Sequence, residues 1–426
     1  MNEIIRGPFQ FFRDAAKSDS LRFVSYIACL LIPWMLVASR SVADTLCIVI
    51  SLCFIIHSVR KSNWAWTRDP VVRVALLAWL WMIIVVSPFA TDVGESYKVA
   101  LPWVRWILMY AALSSWVLTT RKDITIAAFN ITLLAILLVA DTLWQYRFGV
   151  SLTGHPAAEN YRLTGPFSNA KIGIFLTKMC FPTFGILFYL SLGSARLRNS
   201  LAVLFYLGIC IATIMLSGER TAFFSAIIGL FVVAIIIAIT DRKLRLISLG
   251  LSALVLVLSL ALLMTQPALQ DRLIFLSQQM GNFGQSAYGK LFWAGYQLGM
   301  EHWLTGTGFK GFRLLCPEMM NTGVANDCNL HPHNPYIEWF AEAGLIGLLL
   351  FISLVGSMVY RAYHSIKTTN GNARVLAIFT LAVLVVHFFP FLGTQSFFSN
   401  WPALLLWYSV SIALASLNMV PGRLAK

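Results

Sequence analysis

Between His331 and Gly347 the chain reads His-Pro-His-Asn-Pro-Tyr-Ile-Glu-Trp-Phe-Ala-Glu-Ala-Gly-Leu-Ile-Gly, closing a long polar segment at the edge of an apolar run. Asn334 is a good N-cap, and Pro335 suits the first helical position, where a missing N–H costs nothing. His333 then stands one residue outside a helix N-terminus. The positive end of a helix disfavours imidazolium, so this histidine should be neutral, the form a general base requires. Gly344 and Gly347 are three apart, so on a continuous helix they share a face and admit a close neighbour.

The other groups suited to chemistry are cations. Ser217-Gly218-Glu219-Arg220-Thr221 separates two apolar runs with almost no loop. A guanidinium at the start of the next helix is a site for a phosphate or diphosphate; the alternative is a tight structural turn. Arg162, with Arg147, His155 and Lys171, belongs to a loop over residues 146–170 or its edges, whose Gly165–Asn169 run is turn chemistry. Arg162 is either functional or a solvated loop residue. Lys98 and Arg105, seven apart, are expected on one face of a fourth span. Arg105 either snorkels or faces protein, since an arginine at mid-membrane costs about 2.5–3.5 kcal/mol on insertion scales. His331 and His333 invite a metal, but no third ligand follows at a recognisable spacing. Gly306-Thr307-Gly308-Phe309-Lys310-Gly311 lacks the strand–helix setting of a nucleotide loop.

These residues must be positioned by membrane helices. The 426 residues are 58% hydrophobic and 12% charged, far more apolar than a soluble domain. The expected fold is an all-α, polytopic integral membrane protein without a cleavable signal peptide. Twelve spans are predicted near 21–38, 41–59, 71–90, 99–118, 124–145, 171–192, 201–217, 221–240, 246–264, 336–359, 375–390 and 401–418. Three regions follow: spans one to nine with short loops over 1–264, an outer catalytic segment over 265–335, and the last three spans over 336–426. Leu269–Met280 and Lys290–Trp303 read as short amphipathic helices within the outer segment.

With both termini in the cytoplasm, most of the 32 Lys and Arg residues fall in short inside loops. The formal charge of +14 is therefore mainly topological and does not imply nucleic acid. The remaining basic residues, including Arg147, Arg162, Arg220, Lys290 and Arg313, gather outside and favour an anionic ligand. Cys316 and Cys328 share the outer segment, where an oxidising compartment predicts a disulfide rather than two free thiols. One histidine among several guanidiniums suits transfer from a lipid diphosphate: arginines stabilise the leaving diphosphate while the base deprotonates a hydroxyl.

The chain resembles the O-antigen ligase and polymerase family of bacterial envelope glycosyltransferases. The resemblance is carried by His333-Asn334, nine residues, then Gly344-Leu345-Ile346-Gly347. Ser217–Thr221, Arg162-Leu163-Thr164-Gly165-Pro166-Phe167 and Gly306-x-Gly308 also match. It implies metal-independent, inverting transfer of a glycan from undecaprenyl diphosphate to a hydroxyl of the lipid A core, with no cofactor. The setting implied is the periplasmic face of a Gram-negative inner membrane, with a monomeric enzyme. His333 matches the base and Arg220 an essential arginine. Arg162, Arg147, Lys290, Arg313 and Asn334 are candidates for the diphosphate. Lys290 stands where the family would have an arginine; it keeps the charge and loses the bidentate fork. One dominant outer segment favours ligase over polymerase. A lipid-linked glycan flippase is the alternative from another class, and repeat symmetry or broken midplane helices would mark it.

Overall fold

The computed structural model describes residues 19–158, 162–194, 197–242, 281–321 and 328–420, with a few isolated positions between them. Among these the chain is almost wholly helical, and the only β pairing is two isolated bridges, Val150–Pro156 and Ala158–Arg162. The helices are α1 (Ser20–Ala38), α2 (Arg40–Lys61), α3 (Pro70–Phe89), α4 (Val93–Ala100), α5 (Val104–Ala112), α6 (Arg121–Phe148), α7 (Ile172–Gly193), α8 (Leu197–Leu216) and α9 (Arg220–Thr240). After the polar segment come α10 (Ala287–Glu301), α11 (Gly311–Asn321), α12 (Pro335–Thr368), α13 (Gly371–Phe388) and α14 (Asn400–Ser416).

Among the described residues ten helices are long and apolar enough to cross a membrane; twelve spans are expected over the full sequence. The predicted span 246–264 lies outside the described residues, as does the amphipathic helix expected at 269–280. The fourth span, 99–118, is not one regular α-helix. Pro102 lacks an N–H, and the chain tightens into a 3-10 turn at Leu101–Trp103 between α4 and α5, then ends in a π turn at Leu113–Val117. Lys98 and Arg105, expected on one face, stand in different surroundings. Lys98 is exposed and pairs with Glu95 at 2.6 Å. Arg105 is buried and pairs with Asp44 at 2.9 Å, donating also to Asn400 Oδ1 at 3.0 Å.

Burial orders the helices. In α7 and α14, 89% of the span window is buried, whereas α1, α2, α3, α8 and α9 each show 39%. The first two are buried on almost every face and form the centre; the others turn one side outward, as lipid-facing helices do. The loops at one end interlock: Thr91 N donates to Thr307 O at 2.9 Å, Leu163 N to Ser217 O at 3.0 Å, and Thr394 N to His333 O at 2.6 Å. At the opposite end Arg22 pairs with Asp123 at 2.6 Å and Arg361 with Asp69 at 2.7 Å.

The expectation for Gly344 fails. Its backbone (φ 71°, ψ −174°) breaks α12, so the helix opened by Pro335 stops there and a second begins at Leu345. Gly344 and Gly347 do not share a helix face. Only glycine fits at 344, because a Cβ would stand 2.2 Å from Leu304 O in a left-handed conformation. The break receives the Gly306–Gly308 turn: Thr307 N donates to Ala341 O at 2.9 Å, Gly308 N to Glu342 O at 3.0 Å, and Leu345 N to Trp303 O at 2.8 Å. The two glycine motifs therefore meet backbone to backbone.

Candidate active site

The motifs assemble into two corners at the interlocked end. In the first, Asn334 caps α12: its Oδ1 accepts from Tyr336 N at 2.9 Å and Ile337 N at 3.2 Å, and its Nδ2 donates to Pro390 O at 2.6 Å. Both ends of the buried amide are thus engaged within the protein. His333 precedes it in the left-handed region (φ 56°), which costs on the order of 1–3 kcal/mol in a non-glycine residue. The hairpin 389–399 between α13 and α14 holds it there. Thr394 N donates to His333 O, and His333 Nδ1 lies 3.2 Å from Thr394 O. A carbonyl can only accept, so Nδ1 carries the proton and Nε2 is left as the basic nitrogen.

Burial lowers the His333 pKa below the ordinary 6.5, with the Thr394 carbonyl opposing. Its neighbour His331 is pushed down to about 3, by burial first and then by His333 and the Arg313 guanidinium. His331 Nδ1 accepts from His333 N at 3.1 Å, which a protonated Nδ1 could not do. Tyr288, at the start of α10, stands edge-on to the His333 ring with centroids 5.6 Å apart. Lys290 is half-buried two residues further along the same helix. Arg313, on α11, is exposed. Cys316 in α11 is joined to Cys328 by a disulfide of 2.00 Å.

In the second corner, Glu219 and Arg220 open α9 beside the start of α7. Gly173 N donates to Glu219 Oε1 at 2.6 Å and Ile174 N to Oε2 at 3.3 Å, so the carboxylate caps a neighbouring helix rather than its own. Gly173 permits this approach, since a Cβ there would stand 2.4 Å from Ser217 Oγ. Burial raises Glu219 to about 7; the Gly173 N–H, the charge of Arg162, the Ile174 N–H and Lys171 oppose the rise. Arg162 is exposed and joined to this turn through the Leu163–Ser217 bond. Lys171 stands 5.4 Å from the centre of the Trp401 ring, and its pKa is lowered by burial and then by Arg40, against Glu219.

Arg162 and Arg220 are thus brought to one turn, and His333, Asn334, Lys290 and Arg313 to the other corner. The hairpin runs between them, from Phe388 beside Tyr336 to Trp401 beside Lys171. Arg147 is exposed at the end of α6, with its guanidinium 5.5 Å from the Phe148 ring. Two positioning residues escaped the sequence reading. Gln145 holds the Arg162 loop, its Oε1 accepting from Thr164 N and Gly165 N at 2.9 Å each. Glu338, in the first turn of α12, accepts from Phe397 N at 2.7 Å and from Ser396 Oγ, fastening the hairpin. Their signal was available: polar groups in apolar helices demand buried partners. Among the described residues no group of three or more His, Cys, Asp or Glu converges as a metal ion would require.

The fold and site define a multi-pass α-helical membrane protein with a histidine corner and an arginine corner at one end. The O-antigen ligase family model matches residues 205–352, a stretch that holds Arg220, Lys290, Arg313, His333 and the Gly344 break. Over that stretch the chain is similar to the O-antigen ligase family, and the match supports an enzyme of the membrane glycosyltransferase type. Arg147 and Arg162 lie before it. No curated protein matches the chain significantly. A solved chain from "Structural coordination of polymerization and crosslinking by a peptidoglycan synthase complex" is similar at 14% identity and a TM-score of 0.47. It covers 83% of this chain and 96% of its own length, a likeness too distant to carry an argument.

Proposed function

We propose that the protein is an O-antigen ligase that moves a glycan from undecaprenyl diphosphate to a hydroxyl of the lipid A core, at the periplasmic face of a Gram-negative inner membrane. The observation that carries this reading is the His333 geometry: Nδ1 faces a carbonyl, Nε2 is the basic nitrogen, and burial keeps the ring neutral. His333 Nε2 takes the proton of the acceptor hydroxyl as its oxygen attacks the anomeric carbon. The bond from that carbon to the diphosphate breaks on the opposite face, giving inversion. Negative charge develops on the diphosphate, and Arg220 and Arg162 stabilise it, as fixed cations do for a leaving group without needing a metal. Arg313 and Lys290 supply further positive charge near the base, and Arg147, exposed in the helix turn whose Gln145 holds the Arg162 loop, is a further candidate for the diphosphate. Asn334 serves by capping α12 and fixing His333.

The test is transfer by the purified full chain in chelator-treated vesicles, with an undecaprenyl-diphosphate glycan and a core-lipid acceptor. Wild type should glycosylate the core lipid, and His333→Ala and Arg220→Ala should not while remaining folded. Growth of longer glycans on the carrier lipid instead would make the protein a polymerase. Undiminished transfer by His333→Ala would overturn the mechanism.

A further inference from the structure

Beneath the hairpin, inside the bundle, is a group of polar side chains that the transfer chemistry does not use. Lys178, on α7, is 3% exposed and has neither a carboxylate partner nor a hydrogen-bond acceptor for its amine among the described residues. It lines a cavity of about 10 Å³ together with His387, Thr394, Gln395 and Ser396. That volume is room for one water. Two other atoms around it are buried without a protein partner, His387 Nδ1 and Gln395 Oε1.

The hydrogen-bond chemistry of these atoms can be assigned. Ser409 Oγ donates its one proton to Lys178 O at 2.6 Å, so it can only accept from His387 Nε2, 3.0 Å away. Nε2 therefore carries the proton and Nδ1 of the neutral ring is an acceptor. The residues lining the cavity thus include one group rich in donors, Lys178, and two that carry unpaired acceptors, His387 Nδ1 and Gln395 Oε1. A water accepts from the first and donates to the other two, which is the full complement such a site demands. An anion would face two acceptors, and an apolar occupant would leave all three groups unsatisfied.

The position of this group gives it a role. Lys178 lies six residues, roughly 9 Å of helix, beyond the α7 start that Glu219 caps. Gln395 follows Thr394, whose carbonyl sets the His333 tautomer. We infer that Lys178, His387 and Gln395 bind a structural water that fastens the hairpin to α7, making Lys178 the positioning residue that fixes the histidine corner relative to the arginine corner. The inference about function rests on the proposed transfer; the water site does not.

The experiment is hydrogen exchange on the full chain in lipid nanodiscs, comparing wild type with Lys178→Met, Gln395→Leu, the double variant and Lys178→Arg. Each single apolar variant should speed exchange across residues 389–399 by about tenfold, the worth of one buried hydrogen bond. The double variant should exchange no faster than either single one, because both break the same bridge. Lys178→Arg keeps the donors and should restore most of the protection. In the transfer assay Lys178→Met should lower kcat about tenfold with donor KM unchanged, since the cations that bind the donor are untouched. Additive effects, or unchanged hairpin exchange in Gln395→Leu, would overturn the water bridge; Gln395→Leu also serves if Lys178→Met fails to fold. Absent transfer by wild type with the exchange pattern intact would overturn the proposed function and leave the bridge standing.

Discussion

The two corners are built on the same device, a helix N-terminus at the interlocked end, and they put it to opposite use. At the start of α12 the cap is a neutral amide, Asn334; burial keeps His333 uncharged, and burial with His333 and the Arg313 guanidinium does the same for His331. At the start of α7 the cap is a carboxylate from another helix, and Arg162, Lys171 and Arg220 collect around it. One corner keeps its histidines neutral and the other gathers cations around a carboxylate. That division suits a reaction in which a proton leaves at one place and negative charge develops at another. It also explains why the hairpin is fastened so heavily, through Pro390, Thr394, Ser396 and Phe397, since it sets the distance between the two.

The comparison breaks most severely at its base. His333→Ala should lower transfer about 10³-fold, within the range for loss of a general base, with the acceptor-binding step little changed. A smaller loss is expected from Arg220→Lys, about tenfold in kcat, because charge is kept and bidentate geometry lost; Arg162→Lys run beside it ranks the two cations. Should both lysine variants match wild type, the arginine corner acts as a simple positive field. Next, Glu219→Ala leaves Gly173 N and Ile174 N uncapped and should cost about 1 kcal/mol of stability, read as a lower thermal midpoint in detergent. An unchanged midpoint would mean that the carboxylate is not structural.

The smallest effect is a shift of pH dependence. A histidine whose folded pKa lies below its ordinary 6.5 stays neutral as the pH drops past 6.5, so transfer should persist there and fall only further into acid. A pH–rate profile whose acid limb centres at 6.5 or above would contradict the burial argument. The same depression, deeper for His331, makes acid destabilising: below pH 6.5 the unfolded chain gains protons that the folded corner refuses, down to about 3 for His331.

What could be read along the chain was what depends on near neighbours. Apolar runs located the spans, because a helix satisfies its own backbone in lipid, and Asn334–Pro335 marked the start of α12 since a cap is a contact within four residues. The 3-10 turn at Pro102 was legible in principle for the same reason, while the partners of Lys98 and Arg105 were not. Gly344 misled: its spacing from Gly347 reads as a helix face, and only the Leu304–Gly308 backbone lying against it, some forty residues earlier, makes it a break.

The sequence by itself determined an all-α membrane chain, the start of α12 and the side chains proposed to react. Tertiary structure decided which of them meet: that Glu219 caps α7, that Gln145 holds the Arg162 loop, and that the hairpin carbonyl of Thr394 chooses the tautomer of His333. Those are pairings of buried polar groups between distant segments. No local propensity encodes them, because each partner is fixed by which helices pack together and by the cost of leaving a buried donor or acceptor unpaired.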